Sequence, residues 1–113
     1  MASHNGELET LLRALGVPVC YMYYNGTAVS YVTYMETDKA SPLGAEDEVI
    51  GYVSYYDFDI YSKSNYFAVK DHLHMILTSA GWTYQPSRES PDMYDPDTGY
   101  YHKTVCYCKE TMI

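Results

Sequence analysis

Basic residues are scarce in this sequence. Its 113 residues include 7 Lys and Arg against 15 Asp and Glu, which gives a formal net charge of −8. Such an acidic surface repels phosphate, which argues against binding in a DNA or RNA groove and against docking on anionic membranes. It does not exclude a place beside DNA, since a negative wall lets DNA slide past without adhering.

Features typical of several other protein classes are missing as well. No apolar run approaches the ~18 residues of a membrane span, and residues 1–6 lack the apolar stretch of a signal peptide. The sequence contains no glycine-rich phosphate loop and no G-x-S-x-G nucleophile motif. We therefore expect neither a membrane-bound protein nor a nucleotide-binding or hydrolytic enzyme.

Cysteine is present in a small, odd number: Cys20, Cys106 and Cys108. An odd count without a signal peptide favours a reducing compartment. Cys106 and Cys108 lie two apart in a strand-like run, so their side chains are parallel, which is poor geometry for a disulfide between them. We expect them to be small buried apolar side chains.

Tyrosine, by contrast, is abundant, with 15 Tyr against 2 Phe and 1 Trp. Its apolar ring and polar tip suit half-buried strand positions and protein interfaces. Two interpretations stay open. The chain is either a β-rich domain that uses Tyr in place of Phe, or a protein whose surface is rich in contacts with other proteins.

Hydrophobic periodicity and turn residues divide the chain into seven elements. In chain order they are a helix at 7–15, strands at 19–24, 28–36 and 49–61, a helix at 65–80, and strands at 82–85 and 100–110. Leucines spaced three and four apart mark the first helix, which Gly16 and Pro18 end. Asn25-Gly26 predicts a two-residue hairpin turn between the first two strands. Residues 37–48 are polar and acidic and predict a long loop.

The longest strand, 49–61, changes character along its length. In its second half Phe58 and Ile60 alternate with Asp57 and Asp59, which predicts one buried and one open face. Its first half is apolar on both sides, so we expect both faces to be covered there.

The order of elements, α-β-β-β-α-β-β, predicts an α+β fold. Hairpin connections favour an antiparallel sheet of four to five strands, and the two helices would cover one face of it. The length fits a single domain, 1–113, with residues 1–6 expected to be disordered.

No constellation of residues predicts catalysis or metal binding. His72 and His74 are two apart on a helix and point to different faces, whereas zinc-binding pairs on helices are three or four apart. Asp92, Asp95 and Asp97 slightly resemble a calcium loop but lack its spacing and closing Glu, so a solvated turn is expected. We predict no catalytic residue, no metal and no cofactor.

The layout as a whole resembles the tail terminator (tail completion, minor capsid) proteins of long-tailed phages and prophages. The similarity covers about residues 8–110. The segments that carry it are 15–19 (LGVPV), 30–34 (SYVTY), 56–63 (YDFDIYSK), 80–82 (AGW) and 102–105 (HKTV).

This resemblance implies a structural protein of the virion tail, present in the bacterial cytoplasm during assembly. Proteins of the family form a ring, usually a hexamer, that caps the tail tube and joins it to the head. The implied partners are further copies of the chain, the tail tube protein and a head–tail connector protein, with DNA only passing through. The resemblance also implies that the loop 37–48 contacts a neighbouring subunit or the tube.

Six acidic side chains and one tyrosine are the candidates for the ring's lumen or interfaces. The candidates are Tyr55, Asp57 and Asp59 of the long strand, followed by Asp38, Glu46, Asp47 and Glu48 of the acidic loop. For Asp57 and Asp59 three interpretations remain open: a solvated sheet face, the lining of a shared cavity, or an acid/base or cation-binding pair.

Three other functions fit the sequence. The chain could be a different head–tail connector or neck protein, a small-ligand-binding α+β domain, or a regulator that mimics nucleic acid through its negative charge. A deep pocket with convergent polar groups would favour the second of these.

Overall fold

A computed structural model describes residues 4–39, 43–45 and 48–112, without the side chains of 43–45, 48 and 49. The helices are α1 (Asn5–Leu11) and α2 (Tyr66–Ser79), with short 3-10 turns at Leu12–Leu15 and Pro86–Arg88. The strands are β1 (Val19–Tyr21), β2 (Ser30–Lys39), β3 (Leu43–Ala45), β4 (Glu48–Ser62), β5 (Thr83–Tyr84), β6 (Met93–Asp95) and β7 (Tyr100–Met112).

One sheet contains every described strand. Its main path runs β1-β2-β4-β7-β5, with β3 paired to β4 and β6 paired to β7. All pairings are antiparallel except that of β1 with β2. The α+β class and the predicted order of the main elements are confirmed, although the sheet has seven strands within the described ranges, because β3 and β6 lie where no strand was predicted.

The core lies between the sheet and the two helices. On β4, Tyr56, Phe58 and Ile60 are fully buried, as their alternation predicts. The sheet's remaining core residues are Val32 and Tyr34 of β2 and Val105 and Tyr107 of β7, and the helical segments contribute Leu8, Leu12, Leu15, Tyr66, Leu73 and Leu77. Both helices therefore cover the same face of the sheet, which confirms the predicted layering.

The ends of both helical segments follow from local sequence. Gly16 takes a left-handed φ of 80° directly after the 3-10 turn, and Gly81 does the same, with φ 93°, just after α2. At the start of α2, the side chain of Asn65 accepts a hydrogen bond from the backbone N–H of Phe67. The first helix starts at Asn5, so Asn5 and Gly6 are helical where a disordered end was expected. Residues 1–3 lie outside the described residues.

The predicted hairpin at Asn25-Gly26 is wrong, because β1 and β2 are parallel. Met22 has a left-handed φ of 64° directly after β1 and turns the chain away. Gly26 does not have the positive φ that a two-residue hairpin turn requires. Since β1 has only three residues and is about 10 Å long, residues 22–29 suffice to return the chain to the start of β2.

The predicted loop 37–48 is largely strand. β2 continues to Lys39 through a bulge between Glu36 and Asp38, and β3 pairs with the start of β4. Residues 40–42, 46 and 47 lie outside the described residues. Residues 86–99, which join the predicted strands 82–85 and 100–110, likewise contain a 3-10 turn and the short strand β6.

Candidate interaction face

The face of the sheet opposite the helices carries the candidate residues, and we call it the open face. Its side chains alternate with the core residues along the three long strands. They are Tyr31, Thr33 and Met35 of β2, Tyr55, Asp57, Asp59 and Tyr61 of β4, and His102, Thr104, Cys106 and Cys108 of β7. The register places them in rows across the strands, for example Thr33, Asp59 and Thr104.

A row of stacked rings, here called the aromatic row, crosses one end of the open face. Tyr24, Tyr31, Tyr61 and His102 follow one another with centroid separations of 4.3, 4.6 and 4.2 Å. Burial raises the pKa of Tyr31 to about 12, so its hydroxyl stays protonated at any physiological pH. The row fixes these side chains as a rigid ridge, because each inner ring is held on both faces.

Beside the aromatic row lies a hollow of about 220 Å³, here called the aromatic hollow. Its lining residues are Tyr31, Tyr61, Asp95, Thr98, Tyr100 and His102. Tyr100 stands edge-on to Tyr31, with ring centroids 5.3 Å apart, and its hydroxyl donates a 2.6 Å hydrogen bond to the carbonyl oxygen of Ala28. The hollow thus combines aromatic walls with one carboxylate.

Two side chains of β7 hold the Asp59 carboxylate on the open face. Its Oδ1 accepts a 2.5 Å hydrogen bond from the Thr104 hydroxyl and lies 3.1 Å from Nε2 of His102. Burial by itself raises the pKa of Asp59, but the hydrogen bonds from His102 and Thr104 more than offset it and leave that pKa below its usual value. Asp59 therefore stays ionised and holds the His102 ring in place.

Asp57 lies in the next row under different conditions. Burial raises its pKa above the usual value, and the hydrogen bond from the Cys106 thiol only partly counteracts that rise. Cys106 is fully buried although it lies on the open face. The centre of the open face is therefore a packed surface in which the carboxylates are partly covered.

An arginine from outside the long strands covers the other end of the open face. The guanidinium of Arg88 lies over the Tyr55 ring, 4.0 Å from its centroid, and 3.3 Å from Oδ2 of Asp38. The 3-10 turn that carries Arg88 runs beside β7, because Gln85 N–H and Ser90 N–H bond to the carbonyls of Cys106 and Thr104. This contact ties Tyr55 and Asp38 together.

The structure brings four of the seven predicted side chains onto one surface, namely Tyr55, Asp57, Asp59 and Asp38. Glu46 and Asp47 lie outside the described residues, and Glu48 begins β4 without a described side chain. Whether any of them lines a lumen stays a prediction.

Sequence reasoning missed the partners of these acids, chiefly His102, Thr104 and Arg88. The parity of β7 already put His102 and Thr104 on one face. Their pairing with Asp59 depends on strand register, which the sequence does not contain.

Within the described ranges no three His, Cys, Asp or Glu side chains converge as metal ligands do. No described helix has the length and apolar character needed to cross a membrane.

Comparison with known proteins supports the fold. No family model matches the sequence, and no curated protein matches it. Among solved structures, the fold is similar to that of a chain in a structure described as the virion of a native gene transfer agent (GTA) particle. The TM-score is 0.62, the identity is 13%, and the alignment covers 91% of this chain and 84% of that chain. At this identity the likeness establishes a common fold.

Proposed function

We propose that this chain is a structural protein of a phage-like virion and has no enzymatic activity. The observation that carries the proposal is the fold likeness to a virion chain, which extends over 91% of the sequence. A likeness of that extent involves the whole sheet with its helices, so it reflects the complete architecture and not one common motif.

More specifically, we propose a tail terminator, a ring of six copies that caps the tail tube and joins it to the head. A closed ring needs two different surfaces on each copy that fit one another. The open face is the first such surface, because its tyrosines offer the amphipathic contact area that protein interfaces use.

The start of β4 supports contacts between copies. The sequence there is apolar on both sides, yet Ile50 is 46% exposed. Met112, which pairs with Gly51 on the neighbouring strand β7, is 59% exposed. Exposed apolar side chains on a strand patterned for two-sided burial indicate a surface that another subunit covers. We propose that a neighbouring copy or the end of the tube covers this segment.

The acidic residues are proposed to face the DNA path. The half-buried carboxylates of Asp57 and Asp59 are the first candidates, and Asp38 with the acidic segment 46–48 is the second. Negative charge on a lumen wall keeps passing DNA from adhering.

The test is solution mass by multi-angle light scattering over a concentration series, with and without a tail tube protein from the same genome. We expect a hexamer, either alone or on tube ends. Ile50→Asp, at the exposed start of β4, should abolish assembly. The matched control Thr27→Asp, in the exposed loop between β1 and β2, should leave assembly intact. A chain that stays monomeric and leaves tube length unchanged contradicts the proposal. Capture of a head-side protein in place of the tube would favour another connector or neck protein.

A further inference from the structure

The aromatic hollow has a carboxylate that is fixed before any partner arrives. Oδ1 of Asp95 accepts a 3.0 Å hydrogen bond from Asp97 N–H, and Oδ2 accepts one of 3.0 Å from the Thr98 hydroxyl. Gly99 closes the turn with a left-handed φ of 78° and a 2.8 Å hydrogen bond to the Asp95 carbonyl. Each carboxylate oxygen keeps a second lone pair for another donor.

The aromatic walls are equally preorganised. Tyr61 is stacked between Tyr31 and His102, and Oδ1 of Asp59 lies 3.1 Å from Nε2 of His102 and holds that ring in place. Tyr100 is fixed by its hydrogen bond to Ala28 and lies edge-on to both tyrosines. A ligand that enters the hollow therefore orders few side chains, which lowers the entropic cost of binding.

The charge of the hollow favours a cation. Among its described lining residues there is no Lys or Arg, whereas Asp95 lies at its wall; Asp95 is exposed, and so is Asp97 two residues away. One cation of the chain itself lies near this wall, since the Lys63 ammonium is 4.9 Å from the centroid of the Tyr100 ring, and Asp95 therefore has to supply the attraction for a partner's cation. The net charge of −8 adds a long-range attraction for basic partners.

We propose that the aromatic hollow binds an arginine side chain of a partner protein. Arginine fits better than lysine because its planar guanidinium stacks on an aromatic wall and donates two parallel hydrogen bonds to one carboxylate. Asp95 supplies that carboxylate, and Tyr100 and His102 supply the rings. The proposal goes beyond the ring function and does not depend on it, since a single chain contains the complete site.

A titration followed by NMR tests the site directly. The probes are three blocked tripeptides, Gly-Arg-Gly, Gly-Lys-Gly and Gly-citrulline-Gly, added to the full chain labelled with ¹³C in its aromatic rings. We expect saturable shifts of the Tyr31, Tyr61 and Tyr100 signals with the arginine peptide. The lysine peptide should bind several-fold more weakly, and the uncharged citrulline peptide should produce no saturable shift.

Variants separate a defined site from general attraction to acidic charge. Asp95→Asn keeps a side chain that can form the same turn but removes the charge, and it should weaken the arginine peptide about tenfold. Asp97→Asn removes the same charge two residues away and should change the affinity less than twofold. Tyr100→Leu provides a second test if Asp95→Asn fails to fold, and it should weaken binding too.

Three results would overturn the proposal. The first is an equal shift with all three peptides, and the second is an equal effect of the two aspartate substitutions on the affinity. The third is the absence of any shift of the hollow's ring signals when the arginine peptide is added to the unmodified chain. A stable hexamer with an unresponsive hollow would reject this inference alone, and a monomer that binds the arginine peptide would reject only the ring.

Discussion

Asp57 and Asp59 lie two residues apart on the same face of β4, yet folding affects their carboxyl groups in opposite directions. Asp59 accepts hydrogen bonds from Thr104 and His102, and its pKa is lowered in spite of burial. Asp57 has its pKa raised, chiefly by burial. The charged form is thus stabilised at one site and disfavoured at the other.

Replacing each aspartate by asparagine should therefore have different effects on the free energy of unfolding. At pH 7, Asp59→Asn should lower the free energy of unfolding by about 1–2 kcal/mol, because it weakens two charge-assisted hydrogen bonds. Asp57→Asn should leave it unchanged or raise it by less than about 1 kcal/mol, because it removes a partly desolvated charge. Urea denaturation followed by the fluorescence of Trp82, the single tryptophan, measures both. Equal effects would show that the two carboxylates have the same surroundings.

On the helix side of the sheet, Lys103 links β7 to the segment that precedes β6. Its ammonium lies 3.3 Å from Oε2 of Glu89 and 3.2 Å from Oδ1 of Asp92, and the residue is only 8% exposed. Lys103→Met should destabilise the fold by about 2 kcal/mol, because it leaves the partly buried carboxylate of Glu89 without this cation. Lys63→Met is the control, since Lys63 is exposed and lies over the Tyr100 ring. Equal losses in both variants would contradict the structural role of Lys103.

The contacts of Glu89 predict that the folded protein loses stability in acid. Burial by itself raises the pKa of Glu89, but hydrogen bonds from Tyr84, Lys103 and Lys70 outweigh it, so its pKa lies below the usual 4.5. A carboxyl whose folded pKa is depressed stabilises the protein above its unfolded pKa, and this stabilisation is lost as the pH falls through the folded value. The free energy of unfolding should therefore fall below about pH 4.5, and Glu89→Gln should reduce that dependence. An unchanged pH profile in Glu89→Gln would assign the acid sensitivity to other carboxyls.

Gly26 is required by a neighbouring side chain and not by a turn. A Cβ at this position would collide with the Tyr24 ring, which stacks on Tyr31 and whose hydroxyl accepts a hydrogen bond from Ala28 N–H. Gly26→Ala should destabilise the protein by about 1 kcal/mol, because it displaces Tyr24 from the aromatic row. Gly6→Ala, in α1 with open space around it, should be neutral or stabilising by up to about 1 kcal/mol. Thermal unfolding compares the two, and equal shifts would contradict the account.

The sequence was sufficient for features that depend on residue spacing. The leucines of the first helix, the stripe of α2 and the alternation in β4 each reflect one element burying one face, so the two layers could be predicted. The parallel pairing of β1 could not be predicted, because Asn25-Gly26 is a strong hairpin signal locally. In the structure β1 instead pairs with β2 in parallel, Val19 with Val32, and this pairing has no signal within the turn itself.

The sequence likewise predicts only part of the candidate site. Parity placed Asp57 and Asp59 on the open face and His102 and Thr104 together on one face of β7. Which acid meets which partner depends on the register of β4 against β7, and the aromatic hollow depends on how residues 95–100 fold back beside the sheet. The hydrogen bonds of Asp59 with His102 and Thr104 join residues more than 40 positions apart, which periodicity within one element does not encode.

Cys106 should be the least reactive of the three thiols. It is fully buried, whereas Cys20 is partly exposed, and burial together with the nearby Asp57 charge raises the pKa of Cys106 to about 12. Because the thiolate is the nucleophile, iodoacetamide at about pH 8 should label Cys20 well before Cys106. Fragment-ion mass spectrometry can distinguish Cys106 from Cys108 within one peptide, and labelling in denaturant should equalise all three sites. Rapid labelling of Cys106 in the folded chain would show that the open face admits solvent at its centre, against the packing of Asp57 on Cys106.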